Sequence, residues 1–289
     1  MSGGYGHNSY STNSLLQRRV LSMTKPILVK NTKEMMRNLD FPECIKLADL
    51  GCSSGQNTFM VMSDIVNTIN TYVMNKGDEE ESSKYPLVSI LSMSGGDGHK
   101  MSVYLTSSSP LSEHKAYLNQ FQTDFKTFLR MRSEEMVSSG HMVLTLIGRK
   151  TLDDPLHRDC CHWLTLLSDS LCDLVFEALV SASKVSSFKV PFYDPNGEEY
   201  IEDEGSFMVN DLETHIFDLG LSNEEYGLQS DRAKAGGKEA ICIRAVTETM
   251  LVAHFGDAIN IDTLYCLKNI HDSCKNKTSI SLVVSLIRK

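Results

Sequence analysis

Between Lys46 and Asn57 the chain reads KLADLGCSSGQN. Asp49 closes an apolar run, Gly51 and Gly55 bracket a short polar turn, and Gln56-Asn57 open a long amphipathic segment. Glycines let a backbone turn tightly and approach a bound molecule closely. The first N–H groups of a helix beginning at Gln56 would be unpaired and would face the same spot. A strand, a glycine loop and a helix in that order form the cofactor corner of a Rossmann-like sheet. Two chemistries can be weighed on spacing alone. A dinucleotide site wants G-x-G-x-x-G, which this loop lacks. Gly51-Cys52-Ser53-Ser54-Gly55 fits G-x-S-x-G, which would make Ser53 a hydrolase nucleophile served by an acid and a histidine further along. A third reading is a loop for S-adenosylmethionine, and the rest of the chain bears on it.

The elements that must position this loop can be read from periodicity. Val61, Ile65, Ile69 and Val73 recur at helical spacing and predict a helix packed on a sheet. Pro86 to Leu91 reads as a short strand, and Lys115 to Met136 as a long helix closed by Ser138-Ser139-Gly140. Met142 to Ile147 reads as a buried strand without alternation. Gly205 to Leu221 and Ser279 to Ile287 supply late strands, with a helix around Glu248 to Phe255 between them. Lys76 to Lys84 is a solvated charged loop.

With 289 residues, 41% of them hydrophobic, the chain can build one large α/β domain plus a cap. Its net charge of −9 argues against nucleic acid, whose phosphates need clustered Lys and Arg. No apolar run reaches membrane-spanning length, and no signal-peptide pattern opens the chain. The eight cysteines lack ligand spacing. Cys160-Cys161-His162 cannot share one ligand face, because adjacent helical residues diverge. Buried free thiols in a cytoplasmic protein are the expectation.

Several stretches together resemble the plant SABATH carboxyl methyltransferases of the salicylate/benzoate type. Asn8-Ser9-Tyr10-Ser11-x-Asn13-Ser14 with Gln17 and Lys25-Pro26 is similar to their N-terminal ligand-covering segment, and ADLGCSSGQN to their cofactor loop. TSSSP, AYLNQFQTDFKTFLRMRSEE, GHMVLTLIGR, DPLHRDCCHW, VPFYDPN, EGSF, IRAVTETMLVAHFG and SLVVSLIRK follow in the family's order. The resemblance implies an α/β fold: a Rossmann-like class I methyltransferase sheet with a helical cap. It implies an arm over residues 1–30, a cofactor-binding core over 31–150, a mainly helical substrate cap over 151–204 and a C-terminal part of the core over 205–289. It implies S-adenosyl-L-methionine as cofactor and a small aromatic carboxylic acid as substrate. Tyr10, Ser14, Asp49, Gly51, Cys52 and Asn57 match cofactor-contacting positions, Gln17 a residue that bonds the substrate carboxylate, and Trp163 an aromatic of the substrate pocket. From the residues alone, Asp49 could equally cap a turn, Gln17 could face solvent and Trp163 could be plain core.

The departures concern the middle of the chain. Where the family has a ribose-binding Asn-Asp pair, a Gly-Ser-Phe and a His/Trp carboxylate clasp, this sequence has Leu87 to Met101, LVSILSMSGGDGHKM. MSGGDGH at Met93 echoes MSGGYGH at Met1, as in a spliced or rearranged gene product. The family's lost stretch contributes a strand beside the first, so the core is expected to lack part of its centre. Ala48 to Leu50 would lose a partner unless Lys100 to Leu105 moved into the gap. The family's metal-contacting D-x-F-N reads Ser186-Ser187-Phe188-Lys189, and a lysine ammonium cannot ligate a hard cation, so no metal is expected there. Impaired catalysis is one expectation. The alternative is an inactive paralogue acting as a binding partner, in a homodimer or in a heterodimer with a full-length relative.

Overall fold

The computed structural model describes residues 6, 7, 9–40, 42–51, 56–77, 87–93, 111–147, 162–188, 197–218, 232–256 and 278–289. The N-terminal arm is helical. A single turn, α1 (Tyr10–Asn13), precedes α2 (Leu15–Asn38), which runs unbroken through residue 30. The polar residues before α2 hold the turn through bonds to backbone. Thr12 Oγ1 donates to the Gly6 carbonyl at 2.8 Å, and Asn13 Nδ2 donates to the His7 and Ser9 carbonyls at 2.6 and 2.8 Å. Short side chains that compete with the backbone favour such turns over helix interiors.

After α2 come β1 (Cys44–Leu50) and α3 (Gln56–Gly77). The predicted stripe on α3 is apolar inward at its C-terminal half. Ile69 and Val73 are buried with Met35 and Met36 of α2 and Ile45 of β1, and Ile65 packs at the edge of that cluster. A salt bridge of 2.7 Å between Lys25 and Asp64 closes the outer side of the α2–α3 pair.

The strand beside β1 is β2 (Leu87–Met93), not Lys100 to Leu105, which lie outside the described residues. It pairs in parallel along the whole of β1, from Cys44 opposite Leu87 to Leu50 opposite Met93. Among the described residues β2 is the single neighbour of β1, so Ala48 to Leu50 have a partner on one side. Seven residues of LVSILSM match the seven of β1, so every position of β1 has a counterpart on that side.

The long helix α4 (Leu111–Glu135) ends through a Ser-Gly turn, as expected. Ser139 adopts a left-handed φ of 63°, and the Gly140 N–H reaches the Val137 carbonyl at 3.0 Å. A Cβ on Gly140 would stand 2.9 Å from that carbonyl oxygen, so glycine is required. The chain then enters β3 (His141–Ile147). Farther on lie α5 (His162–Phe176), α6 (Ala182–Ser186), α7 (Gly197–Glu204), β4 (Phe207–Asp218), α8 (Arg232–Phe255) and β5 (Thr278–Arg288).

β3, β5 and β4 form an antiparallel sheet in that order. Central β5 is buried on both faces. Leu282, Val284 and Leu286 pack with Phe125 and Leu129 of α4, Ile201 of α7 and Phe207. The intervening Ser281, Val283 and Ser285 are also buried, and Ser285 faces α2. The continuous burial expected for Met142 to Ile147 belongs instead to β5. Among the described residues β3 has a neighbour on one side only, and it alternates at its end, with Ile147 48% exposed. A second cluster joins Leu167, Leu171 and Leu174 of α5 to Val180, Phe188, and Leu251 and Phe255 of α8.

Candidate functional site

The site forms where α1, the start of α2, the end of β1 and the first turn of α3 meet. Tyr10, Ser14 and Asn57 are each less than a tenth exposed. Asn57 joins them. Its Nδ2 donates to Ser14 Oγ at 3.0 Å, and its side chain also faces the Tyr10 hydroxyl, whose pKa it lowers. On its other side, Arg18 Nε donates to Asn57 Oδ1 at 3.1 Å, while the same guanidinium donates to Gln56 Oε1 at 3.0 Å. Burial pushes the Tyr10 hydroxyl above its ordinary pKa of 10.0; the bond from Asn57 opposes this, and the Asp49 carboxylate adds to it. Tyr10 therefore keeps its proton at neutral pH. The Asp49 carboxylate at the end of β1 is near enough for its charge to be felt at Tyr10.

Three residues singled out from sequence, Tyr10, Ser14 and Asn57, thus come together, and the charge of Asp49 reaches Tyr10. Gly51 follows at φ +83°, a left-handed conformation that favours glycine. A Cβ there would meet open space. Gln17 lies one helical turn beyond Ser14, and its Oε1 is buried without a hydrogen-bond partner. A buried polar atom left without a partner carries a desolvation cost of about 1–3 kcal/mol. Amide oxygen and nitrogen are nearly interchangeable in shape, so a half-turn of the Gln17 amide would present N–H donors to an incoming carboxylate. The buried oxygen contradicts a solvent-facing Gln17 amide. Cys52 and Ser53 lie outside the described residues. Trp163 falls in the first turn of α5, and its side chain lies outside what is described. Its helix packs on α8, and α8 also contacts α1.

Arg18 was not legible as a site residue from its type. A signal existed in its spacing: four residues after Ser14, it must share that face of α2.

The far end of α2 is fixed by a buried polar network on the three-stranded sheet. Asn31 Nδ2 donates to the Ile27 carbonyl at 2.9 Å. Its Oδ1 faces His141 Nδ1 at 3.0 Å, accepts from Asn210 Nδ2 at 3.3 Å and takes a short bond from the Ser285 hydroxyl. Asn210 also donates to Glu34 Oε2 at 2.9 Å, and Lys30 pairs with Asp211 at 2.6 Å. Desolvation lowers the pKa of His141 below 6.5, with the Glu34 carboxylate opposing. One helix therefore carries Ser14, Gln17 and Arg18 at its start and is anchored to all three strands of the antiparallel sheet at its end.

A serine–histidine contact exists elsewhere, Ser187 Oγ to His254 Nε2 at 3.2 Å. The same Nε2 lies 3.0 Å from the Lys184 carbonyl, which can only accept. The ring nitrogen therefore carries the hydrogen and cannot act as base toward Ser187.

Comparison with known proteins gives one consistent answer. A family model described as SAM dependent carboxyl methyltransferase matches residues 1–88 and 83–289. A salicylate/benzoate carboxyl methyltransferase of Arabidopsis thaliana is 48% identical over 355 aligned positions, covering 100% of this chain and 92% of the relative. All 289 residues fall within those 355 positions, leaving 66 without a counterpart here. An S-adenosyl-L-methionine:benzoic acid/salicylic acid carboxyl methyltransferase of Petunia hybrida is 33% identical over 357 positions, covering 100% of this chain and 97% of the relative. The solved structure of a loganic acid methyltransferase with SAH matches at a TM-score of 0.73 and 24% identity, covering 100% of this chain and 98% of that one. This shared arrangement is the α/β methyltransferase fold.

Proposed function

The chain belongs to the SAM-dependent carboxyl methyltransferases, and on that premise we propose that it methylates the carboxylate of a small aromatic acid of the salicylate or benzoate kind, releasing the methyl ester. The observation that carries the reading is the hydrogen-bonded cluster of Tyr10, Ser14 and Asn57 beside Asp49 at the glycine turn. The residues fit the cofactor. Two protonated hydroxyls and a carboxylate suit the oxygens and ammonium of an amino acid tail, and the open side of Gly51 admits it. When bound, S-adenosyl-L-methionine supplies a methyl group on a positively charged sulfur.

The chain's own residues have little proton chemistry to perform. A carboxylate nucleophile with a pKa near 4 is ionised at neutral pH, so no general base is needed. What remains is orientation in a dry pocket. Tyr10, Ser14, Asp49 and Asn57 would hold the cofactor. Gln17, with its amide turned over, would donate to the substrate carboxylate through its N–H from the position where its oxygen now lies buried without a partner. Cys52 would border the cofactor and Trp163 the aromatic ring, both on the strength of family position.

The 66 missing positions support a lowered turnover. A second reading rests on them too: a non-catalytic protein that retains cofactor binding. Calorimetric titration with S-adenosylhomocysteine beside a methyl-ester assay with salicylate separates the two. Binding tighter than roughly 100 μM, about −5.5 kcal/mol, with ester formed, is expected. Binding without ester favours the second reading, and a cooperative melt without binding refutes both. The thiols of Cys44 and Cys172 are exposed rather than buried as expected, and as cysteines without a disulfide they suit a reducing, cytoplasmic compartment. No described helix is long and apolar enough to cross a membrane. The exposed Met208, Leu212 and Ile216 of β4 would suit another chain of the same family as partner.

A further inference from the structure

We propose that Arg18 is a positioning residue of the cofactor site, acting through Asn57: by donating to Oδ1 it dictates which way the Asn57 amide faces, and so directs the Ser14 and Tyr10 hydroxyl hydrogens toward the ligand. The inference rests on the reading that Ser14 and Tyr10 line the cofactor site. It starts from an ambiguity of shape. An asparagine amide fills the same space either way round, and its partners decide its orientation. A guanidinium donates and never accepts. With Arg18 Nε at 3.1 Å, the Asn57 oxygen must face Arg18, and the NH₂ must face the hydroxyls.

The consequence travels one bond further. Ser14 Oγ accepts from Asn57 at 3.0 Å, and the same amide faces the Tyr10 oxygen. A hydroxyl that accepts there retains its own hydrogen for another partner. The site thus presents two O–H donors, the complement of a ligand rich in acceptor oxygens such as a carboxylate or a ribose. Turned over, the amide oxygen would take those hydrogens, and the hydroxyls would offer lone pairs that repel a carboxylate. The placement of Arg18 is otherwise unfavourable. Its guanidinium bonds Gln56 and Asn57 in the first turn of α3, where the helix dipole disfavours a cation. Among the described residues no carboxylate lies within ion-pair distance of it.

The test is a double-mutant cycle read as the Kd for S-adenosylhomocysteine, with a thermal melt of each protein. Arg18→Met in the otherwise unchanged chain is expected to weaken binding about ten-fold, equivalent to about 1.4 kcal/mol. With Asn57→Leu already present, the same change should alter Kd less than two-fold, since no amide remains to orient. Arg18→Lys keeps a donor for Oδ1 and should stay within about three-fold of the original affinity. These expectations follow from coupling between residues in contact. An equal loss in both backgrounds would overturn the proposal and assign Arg18 to packing or general charge. Unchanged binding in Arg18→Met would overturn it as well. Should Arg18→Met not fold, a ten-fold loss in folded Arg18→Lys would refute the donor role by itself. Failure of the cofactor reading looks different: the unsubstituted chain melts cooperatively and binds no S-adenosylhomocysteine, and the proposal falls with it.

Discussion

Asn31→Leu tests the claim that a polar anchor on the antiparallel sheet holds the ligand-bearing helix. Asn31 is 2% exposed, and Ser285 beneath it is fully buried. Leucine would leave the Ser285 hydroxyl without the acceptor it uses, and the His141 Nδ1 without Oδ1 at 3.0 Å. Asn210 loses least, because it still donates to Glu34 and Asp211. Two orphaned groups at about 1–3 kcal/mol each, offset by about 1 kcal/mol of added apolar burial, give a net loss of about 3 kcal/mol. At roughly 2 °C per kcal/mol for a chain of this size, the melting midpoint should fall by about 6 °C. Thermal unfolding followed by circular dichroism reads this directly. Adding Ser285→Ala should recover about 1–2 kcal/mol, since removing both partners of a buried bond costs far less than removing one. A melt within about 1 °C of the original, or no recovery from the second change, would refute the reasoning and leave α2 held by apolar contacts alone.

Other outcomes are expected at the site and the anchor. His141 is neutral in the folded chain, with its pKa depressed below 6.5 by burial. The unfolded chain then binds the extra proton, so stability is complete above about pH 6.5 and falls as pH drops from there toward the native value. His141→Gln should flatten that slope in melts taken from pH 8 to 5. Ser14→Ala removes one O–H donor and should weaken S-adenosylhomocysteine about five- to ten-fold, near 1 kcal/mol, measured by calorimetry, with a lowered melt because the Asn57 amide loses its buried acceptor. Gly51→Ala meets open space but forces a side chain to φ +83°, so chemical denaturation should show a loss of about 1–2 kcal/mol. Ser53→Ala should leave salicylate methylation intact; abolished cleavage of a nitrophenyl ester in that variant would revive the hydrolase reading.

Much of this protein follows from local order in the chain. The repeat of Ile65, Ile69 and Val73 required a helix with a buried stripe. The Ser-Ser-Gly end of α4 required a left-handed turn, and Gly51 took the positive φ that its type allows. Order of motifs alone identified the family, which the match along residues 1–88 and 83–289 bears out. Such signals are short-ranged, resting on periods of 3.6 and 2 residues and on which residues tolerate unusual backbone.

What remained to the tertiary structure depends on partners far apart in sequence. Lys100 to Leu105 was the segment expected to move beside β1 if any did, and only the paired register put Leu87 to Met93 there. Continuous burial could not be assigned between β3 and β5 from composition, because it depends on which strand has neighbours on both sides. Arg18 and Asn57 stand 39 positions apart, and nothing in either residue type announces the other. Asn31 reads as an ordinary polar residue of a helix until the His141, Asn210 and Ser285 side chains close around it. A sequence carries the type of each polar group. Only the folded chain decides which of them share a buried bond, because burial makes an unmatched donor or acceptor costly and so selects the one arrangement in which they meet.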